Sequence, residues 1–223
     1  MSGHQRVKIC GISDPESARV AADAGADYIG VVFYPGSHRY IDPARAREIA
    51  DSVHTGSNGQ PQIVGLFVNE SIEYVLDARE RAALDVVQLS GDESPEYIAG
   101  IASHDIPFIA TVRAGGIPEE ETRRRFREII GLEPYAVHLD THVPGMWGGS
   151  GVVGDWELAR DLAKEYRLFL AGGLDPENVA EAVREVRPFV VDVSTGVETD
   201  KIKDHEKIRT FIAAARGTEG RER

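Results

Sequence analysis

The chain has 223 residues, 42% of them hydrophobic, and a formal net charge of −12 at pH 7. That length holds one large domain or two small ones, and that apolar share fits a packed core. The acid excess speaks against sequence-independent binding to nucleic acid, residues 1–6 are too polar for a signal peptide, and no apolar run approaches the roughly 20 residues of a membrane span. The single cysteine, Cys10, cannot form an internal disulfide, which fits a reducing cytosol. The expected setting is therefore soluble and cytoplasmic. Acid excess with arginine preferred over lysine also hints at a salt-adapted host, where a hydrated acidic surface aids solubility.

Short β-branched runs alternate with amphipathic stretches from end to end. Residues 7–10 read as a first strand. Asp14-Pro15-Glu16 then opens a helix, with Asp as cap and Pro in the first turn, and the helix closes at Ala24-Gly25. A second strand over 28–33 leads through a loop to Asp42-Pro43 and a helix to 53. After a connection over 54–61, rich in Gly, Ser and Asn, the third unit is 63–68 followed by 71–82. The fourth strand is 86–89, with a helix opening at Ser94-Pro95. The fifth is 108–112, followed by a helix carrying Arg123, Arg124, Arg125 and Arg127 after Glu119, Glu120 and Glu121. This basic cluster reads as a solvated helix face with internal ion pairs. The sixth strand is 136–140, then a long glycine-rich loop and a helix over 155–166. The seventh is 168–171, with Asp175-Pro176 opening a helix to 186. The eighth is 190–193, and a last helix spans 204–215.

Continuous apolar strands separated by helices imply parallel pairing buried on both faces. Eight such units predict an α/β fold, a single-domain (β/α)8 TIM barrel over residues 1–216, with 217–223 as a flexible tail. A doubly wound sheet is the alternative, but it would have fewer strands and a dinucleotide fingerprint after the first, and none follows residue 10.

Active sites of such barrels form at the C-terminal ends of the strands and in the loops beyond. Cys10 ends the first strand and Asp140 the sixth, a thiol and a carboxylate suited to act as base and acid. A carboxyl that donates near neutrality needs partial burial or a neighbouring negative charge, and a thiol that acts as base needs surroundings that favour the thiolate. Gly172-Gly173 and Ser194-Thr195-Gly196 follow strands seven and eight, where backbone N–H groups and hydroxyls can surround a phosphate. Taken singly, each is also explained as a tight turn that needs glycine. Lys8 shares the parity of Cys10, so both are expected inside the barrel, and Lys8 then requires a carboxylate partner. His138 and His142 are four apart but straddle a strand end, and the seven histidines show no metal-ligand spacing. No metal or cofactor is expected.

At this point the chain resembles the phosphoribosylanthranilate isomerase family of tryptophan biosynthesis. The resemblance rests on Val-Lys-Ile-Cys-Gly-Ile (7–12), Ala-Gly-Ala-Asp-Tyr-Ile-Gly-Val-Val-Phe-Tyr (24–34), Ser-His-Arg-Tyr-Ile (37–41) and Val-Gly-Leu-Phe-Val-Asn (64–69). It continues through Val-Gln-Leu-Ser-Gly-Asp-Glu (87–93), Leu-Asp-Thr (139–141), Gly-Gly-Ser-Gly (148–151), Leu-Ala-Gly-Gly-Leu-Asp-Pro-Glu-Asn-Val (170–179) and Val-Asp-Val-Ser-Thr-Gly-Val-Glu (191–198). It implies a cofactor-free Amadori rearrangement of a phosphorylated sugar–anthranilate, with Asp140 as general acid and Cys10 as general base. Arg39 would pair with the anthranilate carboxylate, Gly172, Gly173, Ser194 and Gly196 would hold the phosphate, and Asp192 would orient a sugar hydroxyl or serve structurally. The chain would act as a monomer or homodimer. It departs from the family in having Ser90 where histidine is usual, Ser150 where threonine is common, and Val152-Val153-Gly154 in place of a basic-aromatic stretch. Trp147 is expected in a lid or in loop packing. The competing readings are a sister phosphate-binding barrel and a non-catalytic sensor of phosphorylated metabolites.

Overall fold

In a computed structural model of the chain, the residues described are 4–54, 60–114, 117–140 and 156–217. Eight parallel strands pair in sequence order and close, the last bonding to the first. They are β1 (Arg6–Cys10), β2 (Tyr28–Val32), β3 (Gln62–Phe67), β4 (Val86–Leu89), β5 (Phe108–Arg113), β6 (Ala136–Asp140), β7 (Leu168–Ala171) and β8 (Val190–Val193). The intervening helices are α1 (Pro15–Ala24), α2 (Pro43–His54), α3 (Ile72–Ala82), α4 (Pro95–Ala102), α5 (Glu119–Ile130), α6 (Trp156–Glu165), α7 (Val179–Val186) and α8 (His205–Arg216). The predicted barrel is thus the observed one. Among the described residues no helix is long and apolar enough to cross a membrane.

The helices start where the sequence supplies caps. Asp14, Ser71 and Ser94 each accept a hydrogen bond from the backbone N–H three residues on, and Asp42 accepts from Arg45 N at 2.8 Å. Two arginines of α5 form ion pairs, Arg123 with Glu119 of its own helix and Asp161 of α6, Arg124 with Glu121 and Glu128 of its own helix. α7 starts later than expected. Asp175 accepts from Glu177 N and Asn178 N as a cap would, but these bonds close a turn, and the helix begins only at Val179. A further element was not foreseen: a short 3₁₀ turn (Thr195–Val197) leads into an antiparallel hairpin of β9 (Glu198–Thr199) and β10 (Ile202–Lys203) before α8. Its two-residue turn, Asp200-Lys201, has positive φ at both positions, as tight hairpin turns require, yet lacks the usual glycine. The connection at 55–59, the loop at 141–155 (with Thr141, His142, Trp147 and Ser150) and the tail beyond Gly217 lie outside the described residues.

Alternation along the strands sorts the barrel interior into layers. The lowest is apolar: Tyr28, Val64, Val86, Ile109, Ala136, Phe169 and Val190 pack together. One step up, the inward positions become polar and charged, with Lys8, Gln88, Thr111, His138 and Asp192. Another step brings Cys10, Ser90 and Asp140 to the mouth. The register aligns these partners across strands, setting Lys8 beside Asp192 and Thr111 beside His138.

Candidate active site

The mouth of the barrel encloses a cavity of about 370 Å³ lined by side chains from nearly every strand end, Cys10, Arg39, Ser90, Asp140 and Asp192 among them, with Gly172-Gly173 and Ser194-Thr195-Gly196 forming one wall. Every residue predicted to act in the site therefore borders one space. Cys10 is buried, with 7% of its surface exposed, and its strand ends in Gly11, whose φ of +77° turns the chain outward. Asp140 is half-buried at the end of β6, in register with Arg113 of β5. Arg113 reaches back to the loop after β4, donating to the Gly91 carbonyl at 3.0 Å and to Asp92 at 3.1 Å.

The two glycine motifs are held differently. Gly172 and Gly173 have φ of +96° and +70°, so their turn excludes a side chain on conformational grounds. Gly196 has no such φ; a Cβ there would collide with the Leu174 carbonyl of the neighbouring loop. Asn178 fixes the first loop, donating to the Gly173 carbonyl at 2.8 Å and accepting from Asp175 N at 3.0 Å.

Arg39 sits on a loop that doubles back on β2, where Ile41 N donates to the Val32 carbonyl at 3.0 Å. Its guanidinium forks onto Glu198, Nε to Oε1 at 2.6 Å and Nη2 to Oε2 at 2.7 Å. Lys203 of β10 donates to the same carboxylate at 2.7 Å and to the Ser194 carbonyl at 2.9 Å. Burial pushes the Glu198 carboxyl up, but Arg39 and Lys203 outweigh it and bring it to about 2. Burial likewise pulls Lys203 below its ordinary value despite Glu198.

Beneath the cavity six side chains form a closed ring. Lys8 Nζ donates to Gln88 Oε1 (2.8 Å), Gln88 Nε2 to Ser90 Oγ (3.1 Å), and Ser90 meets Thr111 (3.0 Å). Thr111 meets His138 Nδ1 (3.3 Å), His138 Nε2 meets Asp192 Oδ2 (3.0 Å), and Lys8 returns to that same oxygen (2.7 Å). Donors can run one way from the ammonium to the carboxylate when His138 carries a proton on Nε2. Burial pushes Asp192 up; Lys8 and His138 more than offset that and hold it below the usual carboxylate range. Its second oxygen, Oδ1, is buried without a hydrogen-bond partner among the described residues. The carboxylate that Lys8 needed is thus Asp192, and His138 serves this ring, with no metal cluster present among the described residues.

A profile described as N-(5'-phosphoribosyl)anthranilate (PRA) isomerase matches residues 7–214. The chain belongs to the phosphoribosylanthranilate isomerase family. An isomerase of that name from Roseiflexus sp. (strain RS-1) is 46% identical over 217 residues, covering 94% of this chain and 97% of the relative. The crystal structure of phosphoribosyl anthranilate isomerase from Thermotoga maritima superposes with a TM-score of 0.84 at 41% identity, covering 96% of this chain and 99% of that one. A further isomerase structure, in complex with reduced 1-(o-carboxyphenylamino)-1-deoxyribulose 5-phosphate, gives a TM-score of 0.78 at 39% identity, covering 96% and 99%. Within this isomerase fold, the strand-end motifs were readable in advance. Glu198, Thr111 and the ring role of His138 were not, because Arg39, Ser90 and Asp192, which they meet, stand far away in sequence, and Lys203 was not, because it belongs to the unmarked β9–β10 hairpin.

Proposed function

We propose that Cys10 and Asp140 are the base and acid with which this isomerase converts N-(5'-phosphoribosyl)anthranilate to 1-(2-carboxyphenylamino)-1-deoxyribulose 5-phosphate in tryptophan biosynthesis. The observation that carries the reading is a thiol and a carboxyl at the ends of β1 and β6, opening on one cavity together with the two glycine loops. Asp140 gives its proton to the furanose ring oxygen as the C1–O bond breaks, and the anilino nitrogen's lone pair forms the C1=N bond. The Cys10 thiolate then takes the C2 proton, and the C–H electron pair moves in to neutralise the iminium. The enaminol so formed tautomerises to the aminoketose, leaving composition unchanged, and proton exchange with water resets both groups.

Arg39 takes the anthranilate carboxylate, its orientation fixed by Glu198. Gly172, Gly173, Ser194 and Gly196 receive the phosphate through their backbone N–H groups. Asp192 accepts a sugar hydroxyl through Oδ1, the oxygen that the ring leaves over. The small-molecule substrate, the biosynthetic family and the single cysteine favour a cytoplasmic setting, and the acid excess favours a salt-rich one.

The test follows the fluorescence of freshly generated phosphoribosylanthranilate, which is lost on rearrangement. Wild type at low and high salt is compared with Cys10→Ser and Asp140→Asn. Each variant is expected to lose about 10²–10⁴-fold in kcat. Absence of turnover by folded wild type at any salt would sink the assignment and leave a phosphate-binding sensor.

A further inference from the structure

We propose that Lys8 is a functional residue of this site: a buried cation, held by Asp192 and Gln88, against which the charge of the Cys10 sulfur is set. The inference deepens the reading of Cys10 as base and rests on it. Lys8 and Cys10 are two residues apart on β1 and point the same way, so the ammonium lies one layer below the thiol. Gly30 of β2 makes the space. A Cβ there would stand 2.9 Å from Cys10 Sγ and 3.1 Å from Lys8 Cε, so sulfur and stem lie at most about 6 Å apart. Two ammonium hydrogens go to Gln88, at 2.8 Å, and Asp192, at 2.7 Å.

Lys8 is fully buried above an apolar layer. Burial pulls its ammonium down, but Asp192 and negative charge on Cys10 together raise it above its ordinary value. Interaction between two charges is mutual, so the cation that gains from a thiolate also supports it. A buried ion pair is weak support for a fold, and apolar residues of similar volume often serve stability as well or better. Retaining one directly beneath a strand-end thiol therefore points to use. The other ionisable groups bordering this space are His138 and Asp140 from β6, Asp192 from β8, Arg113 from β5, and Tyr34 and Arg39 from the β2 loop. Lys203, a second buried cation, is held by Glu198 and the Ser194 carbonyl behind the wall of the site.

The experiment measures iodoacetamide alkylation, which reports on one site because the chain has one cysteine. Lys8→Met/Asp192→Asn removes both charges together and so leaves no buried ion unpaired. Its alkylation at pH 7 is expected to fall about tenfold and to match wild type near pH 10, where the thiol ionises unaided. Asp192→Asn alone leaves the ammonium without its carboxylate, and its alkylation at pH 7 is expected to equal or exceed wild type. A merely structural ring would, when loosened, move both variants the same way. Wild-type reactivity at pH 7 in the folded double variant, or slowing in Asp192→Asn, overturns the proposal. Turnover is not the readout. Loss of the Cys10 assignment in the fluorescence assay therefore stays separable from loss of this one.

Discussion

Arg39 and Glu198 show how a site residue and the residue that aims it differ in legibility. Arg39 lies inside a contiguous motif, Ser-His-Arg-Tyr-Ile, and its neighbours announce it. Glu198 lies 159 positions away, on a two-residue strand, and nothing around it tells which cation it will meet. Its state is nonetheless testable through stability. Its carboxyl falls from an ordinary 4.5 to about 2 on folding, so it stabilises the fold fully above pH 4.5 and loses that contribution as pH falls towards 2. The contribution is on the order of 3 kcal/mol. In urea titrations, the stability difference between wild type and Glu198→Gln is expected to shrink by that order between pH 6 and pH 2. A difference constant with pH would mean that folding leaves the proton affinity of the Glu198 carboxyl unchanged.

Among the elements, the loops after β7 and β8 depend on each other. Gly196 packs on the Leu174 carbonyl, so Gly196→Ala must push one loop from the other. The expected result is a melting temperature several degrees lower, from steric overpacking of about 1–3 kcal/mol, with KM raised more than kcat is lowered. Unchanged KM would place substrate binding elsewhere. The strands and most helices were legible because periodicity and caps are local signals, as Asp14, Ser71 and Ser94 show. Asp175-Pro176 misled about α7 because an Asx turn and a helix cap use the same side-chain bonds, and only the Asn178 anchor decides between them. The β9–β10 hairpin escaped notice because its Asp200-Lys201 turn lacks the glycine that usually marks such turns.

For the whole molecule, a formal charge of −12 sets self-repulsion against the closed barrel. Raising NaCl from 0.05 to 1 M shortens the screening distance to about 3 Å and is expected to raise the melting temperature by several degrees. A flat or falling response would show that the surface ion pairs, such as those of α5, matter more than the excess charge. Closure of the barrel by β1 against β8 also has a consequence in time. The Lys8–Asp192 contact joins residues 184 positions apart, which at about 5–20 residues per second takes roughly 10–40 s of translation to span. Throughout that interval the strand bearing Cys10 has one edge unpaired and its lysine has no counter-charge. The chemistry of this chain therefore cannot begin while it is being made, and a ribosome stalled short of the last strand leaves an open sheet edge for chaperones to shield.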